Sequence, residues 1–145
     1  MNTTTAATLP ASHWLIAVIA LLWNLLGLAM FVLQVTLSPE ALAALPDAQR
    51  RVHEATPAWM NMAFGIAVVA GVLGAVALLL RRRWAAMLFA VSLAALVVQI
   101  LGAFLATPAW AAHGVAGLAM PVLLLVIAGV LWAYARKATT RGWLR

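Results

Sequence analysis

The sequence predicts an all-α, polytopic membrane protein: four transmembrane helices in an antiparallel bundle, with a short interfacial helix or helices in the first loop. Two observations predict this fold. The nine Lys and Arg and three Asp and Glu residues of the 145-residue chain are confined to short stretches. Between them run charge-free stretches of the about 20 apolar residues that a helix needs to cross a hydrocarbon core of about 30 Å. The predicted spans are residues 14–35, 57–80, 84–106 and 114–134.

Composition bounds the rest of the chain. With 67% hydrophobic residues, the chain has room for a single four-span domain over residues 1–145 and no attached soluble domain. A pI near 11.8 would suggest nucleic acid in a soluble protein. Here the basic residues lie at the ends of spans, where cations meet lipid headgroups, so the lipid bilayer and not nucleic acid is the expected partner. The absence of cysteine excludes disulfides, thiolate metal sites and dithiol relays.

The distribution of Lys and Arg predicts the orientation. The 81–83 link and the C-terminal tail carry seven of these residues, against two in loop 36–56 and none in loop 106–113. Short loops rich in Lys and Arg stay in the cytoplasm. Both termini are therefore expected to be cytoplasmic. The first apolar run is too long for a signal-peptide core, so the first span is expected to be retained.

The first outer loop, residues 36–56, contains all three acidic residues and the signals of a short helix. Ser38 is suited to the N-cap, and Pro39 to the first helical position. Leu42, Leu45 and Val52 are its sparse apolar residues. The pattern fits an interfacial cap over the bundle or an ordered, solvated loop.

The pentapeptide ATPAW occurs twice, at residues 55–59 and 106–110, where the chain is predicted to re-enter the membrane. The Thr is suited to cap a helix, the Pro to its first turn and the Trp to the headgroup level. The Thr and Pro are Thr56 and Pro57 in the first copy, and Thr107 and Pro108 in the second. The alternative is an internal repeat of two helical hairpins, which the poorly matching spans after each copy do not favour.

Polar residues within the predicted spans are the candidate site. Small and polar residues recur at intervals of three and four in spans one and three. Span two contains a row of small residues on one face: Ala63, Ala67, Gly71 and Ala75. Such stripes predict either helix-packing seams or an outward-opening polar pocket for a neutral, hydrogen-bonding molecule. The candidate pocket residues are Asn24, Gln34, Asn61, Gln99 and His113.

The seam interpretation makes specific predictions. Gly27 and Gly71 are expected where two helix backbones approach closely. If the ring of Trp23 faces lipid, Trp23→Leu is expected to be nearly silent. Pro121, in span four, predicts a kink or a gate hinge, of which a static kink is favoured.

No catalytic residue, cofactor or metal site is predicted, and the chain is not expected to be an enzyme. His113 is more typical of a surface histidine than of a metal or haem ligand, because His13 and His53 do not share its depth. Ser92 lies about 12 Å from the inner end of span three, by 1.5 Å per residue. His113 lies at the outer side, too far away for the two to form a nucleophile–base pair. No Asp, Glu, Lys or Arg lies within a predicted span, which argues against proton coupling.

Several segments match a known family: ALLWNLLG at 20–27, PEALAALP at 39–46, PAW at 57–59, GVLGAVALLLRRRWA at 71–85, and Ser92, Leu93 and Gln99. On these residues, about two-thirds of the chain resembles a family of uncharacterised four-helix bacterial inner-membrane proteins, often labelled "sugar transporter". The resemblance implies a bacterial inner-membrane location. It carries over no catalytic or binding residue.

Together these observations favour a non-enzymatic accessory subunit or small-ligand binder. The alternative is a facilitative carrier of a small neutral solute such as a sugar. Besides lipid, the partners considered are a second copy of the chain, in a homodimer, or the subunits of a larger membrane complex.

Overall fold

A computed structural model describes residues 8–145, which form seven α-helices and one short 3-10 helix, with no strand among them. The four long helices are α1 (Ser12–Val35), α4 (Ala58–Leu79), α5 (Ala85–Ala106) and α7 (Ala119–Thr140). The short helices are α2 (Pro39–Ala43), α3 (Asp47–Ala55) and α6 (Ala109–His113), and the 3-10 helix Val115–Leu118 precedes α7. The predicted all-α four-helix architecture is confirmed.

Each long helix is built to cross a membrane. A 22-residue helix such as α4 is about 33 Å long, which matches the hydrocarbon thickness. Four segments meet the length and apolarity of a span: Ser12–Val35, Ala58–Leu79, Ala85–Ala106 and Val115–Thr140. Leu22, Leu101 and Val130 are more than half exposed on the bundle surface, as lipid-facing side chains are. The chain is a multi-pass membrane protein.

The interior is built mainly from small residues. The buried side chains are dominated by alanine, with Phe89, Leu78 and Leu144 as the largest fully buried apolar ones. Lipid tails are as apolar as leucine, so helices in a membrane associate through close packing, which small residues permit. The predicted row in span two is buried throughout: Ala63, Ala67, Gly71 and Ala75.

The long helices pack in chain order: α1 lies against α4, α4 against α5, and α5 against α7. α4 and α5 therefore each lie between two neighbours, and α4 is the most enclosed of the four. α1 and α7 are the two ends of this row. The candidate site lies between them.

One end of the bundle, here called the arginine end, comprises the start of α1, the Arg81–Arg83 link and the end of α7. The C-terminal segment pairs with the link: Arg145 N donates to Arg81 O (2.6 Å), and Arg83 N donates to Arg145 O (3.1 Å). Leu144 is fully buried beneath them. Arg81 has φ +56°, in the left-handed region that favours glycine.

The last helix extends six residues beyond the predicted end of span four, to Thr140. Arg136 and Lys137, expected in the tail, lie in its last turns. Helices continue beyond the hydrocarbon where long basic side chains reach the headgroups, and cations favour a helix C-terminus.

The opposite end, here called the loop end, carries α2, α3 and α6, with α3 packed on α6. Ser38 is the N-cap of α2, its Oγ accepting from Ala41 N (3.2 Å), and Pro39 lies in the first turn, as predicted. Hydrogen bonds from its own backbone N–H and from the Ser38 hydroxyl hold the pKa of Glu40 below its usual range.

The two ATPAW copies have different structures. Thr56 was predicted to cap the following helix, and this is wrong: its hydroxyl donates backwards to Val52 O (2.8 Å), and Pro57 is the N-cap of α4. Thr107 also donates backwards, to Ala103 O, and Pro108 is the next N-cap. Here, however, Thr107 Oγ1 also accepts from Ala109 N (3.3 Å), and the helix that follows, α6, is not a span. The chain then turns at Gly114, with φ +57°, before the 3-10 helix and α7.

Candidate functional site

The arginine end of the candidate site is closed by a buried histidine. His13, in the first turn of α1, has no exposed surface. Its Nε2 lies 3.1 Å from the carbonyl oxygen of Leu78 in α4. A carbonyl only accepts, so Nε2 carries a proton and donates. With that proton placed, Nδ1 accepts from the hydroxyl of Tyr134 in α7, at 2.8 Å. One imidazole therefore ties together three long helices.

Away from this contact, α1 and α7 are separated by a cleft of about 290 Å³. It runs from the middle of the bundle toward the loop end. Sixteen of the described residues line it: Trp23, Asn24, Leu26, Gly27, Met30, Phe64, Ala67, Val68, Phe89, Ser92, Leu96, Met120, Leu124, Ile127, Ala128 and Leu131. Leu26, Met30 and Met120 are more than half exposed, so the cleft opens sideways toward lipid.

The cleft has a small polar floor where α1, α4 and α5 meet. Asn24 Nδ2 donates to Ala20 O one turn earlier (2.8 Å), and Ser92 Oγ donates to Ala67 O of α4 (2.6 Å). Gly71 makes this meeting possible, because a Cβ there would collide with Asn24 Oδ1 and lie 3.3 Å from Ser92 Oγ. Asn24 keeps one N–H and its acceptor Oδ1, and Ser92 Oγ keeps its acceptor capacity, without a partner among the described residues.

The five residues of the predicted pocket do not form a single site. Gln34 Nε2 donates to Asn61 Oδ1 (3.0 Å), joining α1 to α4 near the loop end. Asn24 lies ten residues from Gln34 along α1, about 15 Å by helical rise, and is the only one of the five that lines the cleft. Gln99 is half-buried and His113 exposed. Neither makes a side-chain hydrogen bond to another described residue.

The structure also revises two expectations about α1. Trp23→Leu was expected to be nearly silent only if the ring faces lipid, but Trp23 is half-buried and lines the cleft. Gly27 was expected at a close backbone approach, but a Cβ there would meet only Val68 Cγ1, at an ordinary 3.5 Å. Hydropathy marks α1 as a span without saying which of its faces has a neighbour, and both residues lie on the face that α7 leaves uncovered.

His13 and Tyr134 were not predicted as site residues. Their ring centroids lie 5.8 Å apart with an interplanar angle of 29°, so they stack as well as hydrogen-bond. The available signal was a histidine directly before the first apolar run and the single tyrosine of the chain. Neither residue belongs to a motif, and their pairing depends on the first and last helices meeting.

The lining of the cleft determines what chemistry it can offer. None of its described lining residues is ionisable, so it offers no general acid, general base or charge partner. It offers apolar surface, the polarisable side chains of Met30 and Met120, the aromatic rings of Trp23 and Phe64, and the polar floor. Such a lining suits an uncharged, mostly apolar molecule with a polar group.

Comparison with protein-family models, curated proteins and solved structures found no match to this chain.

Proposed function

We propose that this protein is a non-enzymatic membrane protein that binds a small, uncharged, lipophilic molecule in the cleft between α1 and α7. The observation that carries the proposal is the shape and lining of that cleft. It is concave, its volume of about 290 Å³ falls near the lower limit of small-molecule pockets, and its walls are apolar with one polar floor.

The entry route supports a ligand that partitions into the bilayer. The cleft opens between two helices at membrane depth, past the exposed side chains of Met30 and Met120. At the arginine end it is blocked by the His13–Tyr134 contact. A lipophilic molecule reaches such an opening from the hydrocarbon without crossing water.

The alternative from another class is a facilitative carrier of a neutral solute such as a sugar. Asn24 and Ser92 would supply its hydrogen bonds at mid-membrane. A sugar presents many hydroxyl groups, each costly to bury without a partner. Two side chains with one free N–H donor and two acceptor oxygens satisfy few of them, so the lipophilic ligand is the better fit.

An accessory subunit is the remaining candidate, and a homodimer or larger complex is its structural form. The apolar outer faces of the bundle would serve an intramembrane partner or lipid equally well. For location, we propose a bacterial inner membrane with the arginine end in the cytoplasm, on the strength of the clustered arginines and the positive-inside rule.

Photolabelling tests the binding proposal directly. The purified protein in detergent would be irradiated with a diazirine-bearing long-chain alcohol, and the labelled peptides mapped by mass spectrometry. We expect saturable labelling at Trp23, Met30 and Met120 that an excess of the unlabelled alcohol removes. Labelling of Leu101, which is exposed on α5, should be weak and resistant to competition.

A cleft-filling variant supplies the control. Gly27→Phe places a ring where only Val68 is near and should abolish the saturable labelling. Leu101→Phe adds similar bulk on a lipid-facing surface and should leave it unchanged. Non-saturable labelling in the wild type, or equal labelling in both variants, would refute the proposal.

A further inference from the structure

The C-terminal segment Trp143–Arg145 is held by two arginine side chains as well as by the backbone. Arg81 Nε donates to Trp143 O (3.1 Å), and Arg83 Nε donates to Leu144 O (3.4 Å). Backbone hydrogen bonds between Arg145 and the Arg81–Arg83 link reinforce this arrangement. Two guanidinium groups from one tight turn are thereby fixed against the same short segment.

These hydrogen bonds use only part of each guanidinium. A guanidinium has five N–H donors, of which Nε supplies one. In both arginines the four N–H groups on the Nη atoms remain without a partner among the described residues. The Nη atoms take part in the paired hydrogen bonds by which arginine recognises phosphate. Both side chains are thus held in place by Nε, while the Nη donors that would bind an anion stay free.

A third guanidinium contacts the same C-terminal segment. Arg141 sits over the ring of Trp143, with Cζ 5.3 Å from the ring centroid. Stacking of this kind holds an arginine while leaving its donors free. No Asp or Glu side chain pairs with these cations: within residues 8–145, side-chain ion pairs are formed only by Arg50 with Asp47 and Glu54, at the loop end.

We propose that Arg81, Arg83 and Arg141 form a binding site for the phosphate of an anionic phospholipid. The depth of the site favours a lipid over a free phosphate ion. Trp84, 44% exposed, directly follows Arg83, and Trp143 lies within the site. Tryptophan settles at the headgroup level of a bilayer, which is where a phospholipid presents its phosphate.

Native mass spectrometry of the full chain in detergent would test the site. Phosphatidylglycerol would be titrated against the wild type and against single variants, with phosphatidylcholine as the zwitterionic reference. We expect phosphatidylglycerol to bind about tenfold or more tightly than phosphatidylcholine. Arg83→Gln should weaken phosphatidylglycerol binding about tenfold or more, because it removes an oriented, charge-assisted contact.

Arg82→Gln is the matched control, since Arg82 belongs to the same link and its side chain makes no hydrogen bond to Trp143–Arg145. Losing one unoriented charge near a membrane surface should weaken binding only about fivefold. Arg83→Lys keeps the charge but loses the planar guanidinium with its paired N–H donors, and should weaken binding almost as much as Arg83→Gln. Equal effects of Arg82→Gln and Arg83→Gln, or full affinity in Arg83→Lys, would show diffuse attraction and overturn the site.

Two further measurements complete the design. If Arg83→Gln loosens the C-terminal segment, a lower melting temperature without lipid would reveal this. In that case Arg141→Gln is the variant to test, because the Arg141 side chain is held only by stacking on Trp143. The same loss of lipid affinity is expected there. Inorganic phosphate at the lipid concentration should not compete; competition would assign the site to a soluble anion instead of a lipid.

Discussion

The hydroxyl of Tyr134 donates to Nδ1 of His13 across 121 positions of sequence, joining the last long helix to the first. Nε2 of the same ring is bound to Leu78 O of α4. α1 and α7 are otherwise the two unpaired ends of a row of helices. The cleft between them is therefore closed at the arginine end, where this hydrogen bond joins the two helices, and left open toward the loop end.

Removing the tyrosine hydroxyl should weaken this closure. Tyr134→Phe keeps the ring and leaves Nδ1 of a buried histidine without its donor. We expect a loss of about 1 kcal/mol in the free energy of unfolding, measured by steric trapping in bicelles. Thr140→Val removes an exposed hydroxyl from the same helix and should cost much less. Equal losses would mean that the histidine contact contributes nothing specific.

The floor of the cleft predicts opposite behaviour for two glycines. Gly71→Ala should cost about 1–3 kcal/mol, because the new methyl group collides with Asn24 Oδ1 and crowds Ser92 Oγ. Gly27→Ala should be nearly neutral, since its methyl group meets Val68 at an ordinary distance. Melting temperatures in one detergent would compare them. Combining Gly71→Ala with Asn24→Ala should recover part of the loss; no recovery would contradict the contact with Asn24.

The architecture was predictable because bilayer thickness imposes it. A charge-free run of about 20 residues has few alternatives to a spanning helix, and the Arg81–Arg83 link and the Ser38–Pro39 pair are local signals. The four spans and the start of α2 follow from these. Thr56 was misjudged because a threonine between two helices has two uses, and here it bonds back to the helix that precedes it.

The site was less predictable because it depends on which helices are neighbours. Periodicity places Gln34 and Asn24 on one stripe, yet Gln34 meets Asn61 while Asn24 lies on the cleft floor. Small-residue stripes identify faces that pack, and the row of Ala63, Ala67, Gly71 and Ala75 is buried as such a face. They do not reveal that α7 leaves a face of α1 uncovered. The pairing of His13 with Tyr134 has no local signature at all.

The Gln34–Asn61 hydrogen bond separates the two interpretations of the polar stripes. If it is a packing contact, a double-mutant cycle with Gln34→Leu and Asn61→Leu should show a coupling free energy of about 0.6 kcal/mol, and at most about 1.7. The cycle would be measured by steric trapping. No coupling, together with a gain in stability in both single variants, would indicate that the amides are kept for a ligand.

The absence of cysteine makes orientation easy to test. Gln49→Cys places a thiol in α3 at the loop end, and Thr140→Cys places one at the arginine end; both residues are exposed. A membrane-impermeant maleimide should label Gln49→Cys in spheroplasts, and Thr140→Cys only after permeabilisation. The reverse pattern would invert the proposed orientation.

Solute flux distinguishes a ligand-binding protein from a carrier. No described residue that lines the cleft is ionisable, so any transport should be passive, specific for uncharged molecules and insensitive to a pH gradient. In reconstituted vesicles we expect no equilibration of a radiolabelled sugar above that of empty vesicles. A carrier would instead show uptake that falls in Asn24→Leu, which changes the cleft floor, and persists in Gln99→Leu, which lies outside the lining. Flux lost equally in both variants would point to the amide pocket predicted from the sequence, and the lateral cleft would then not be the transport route.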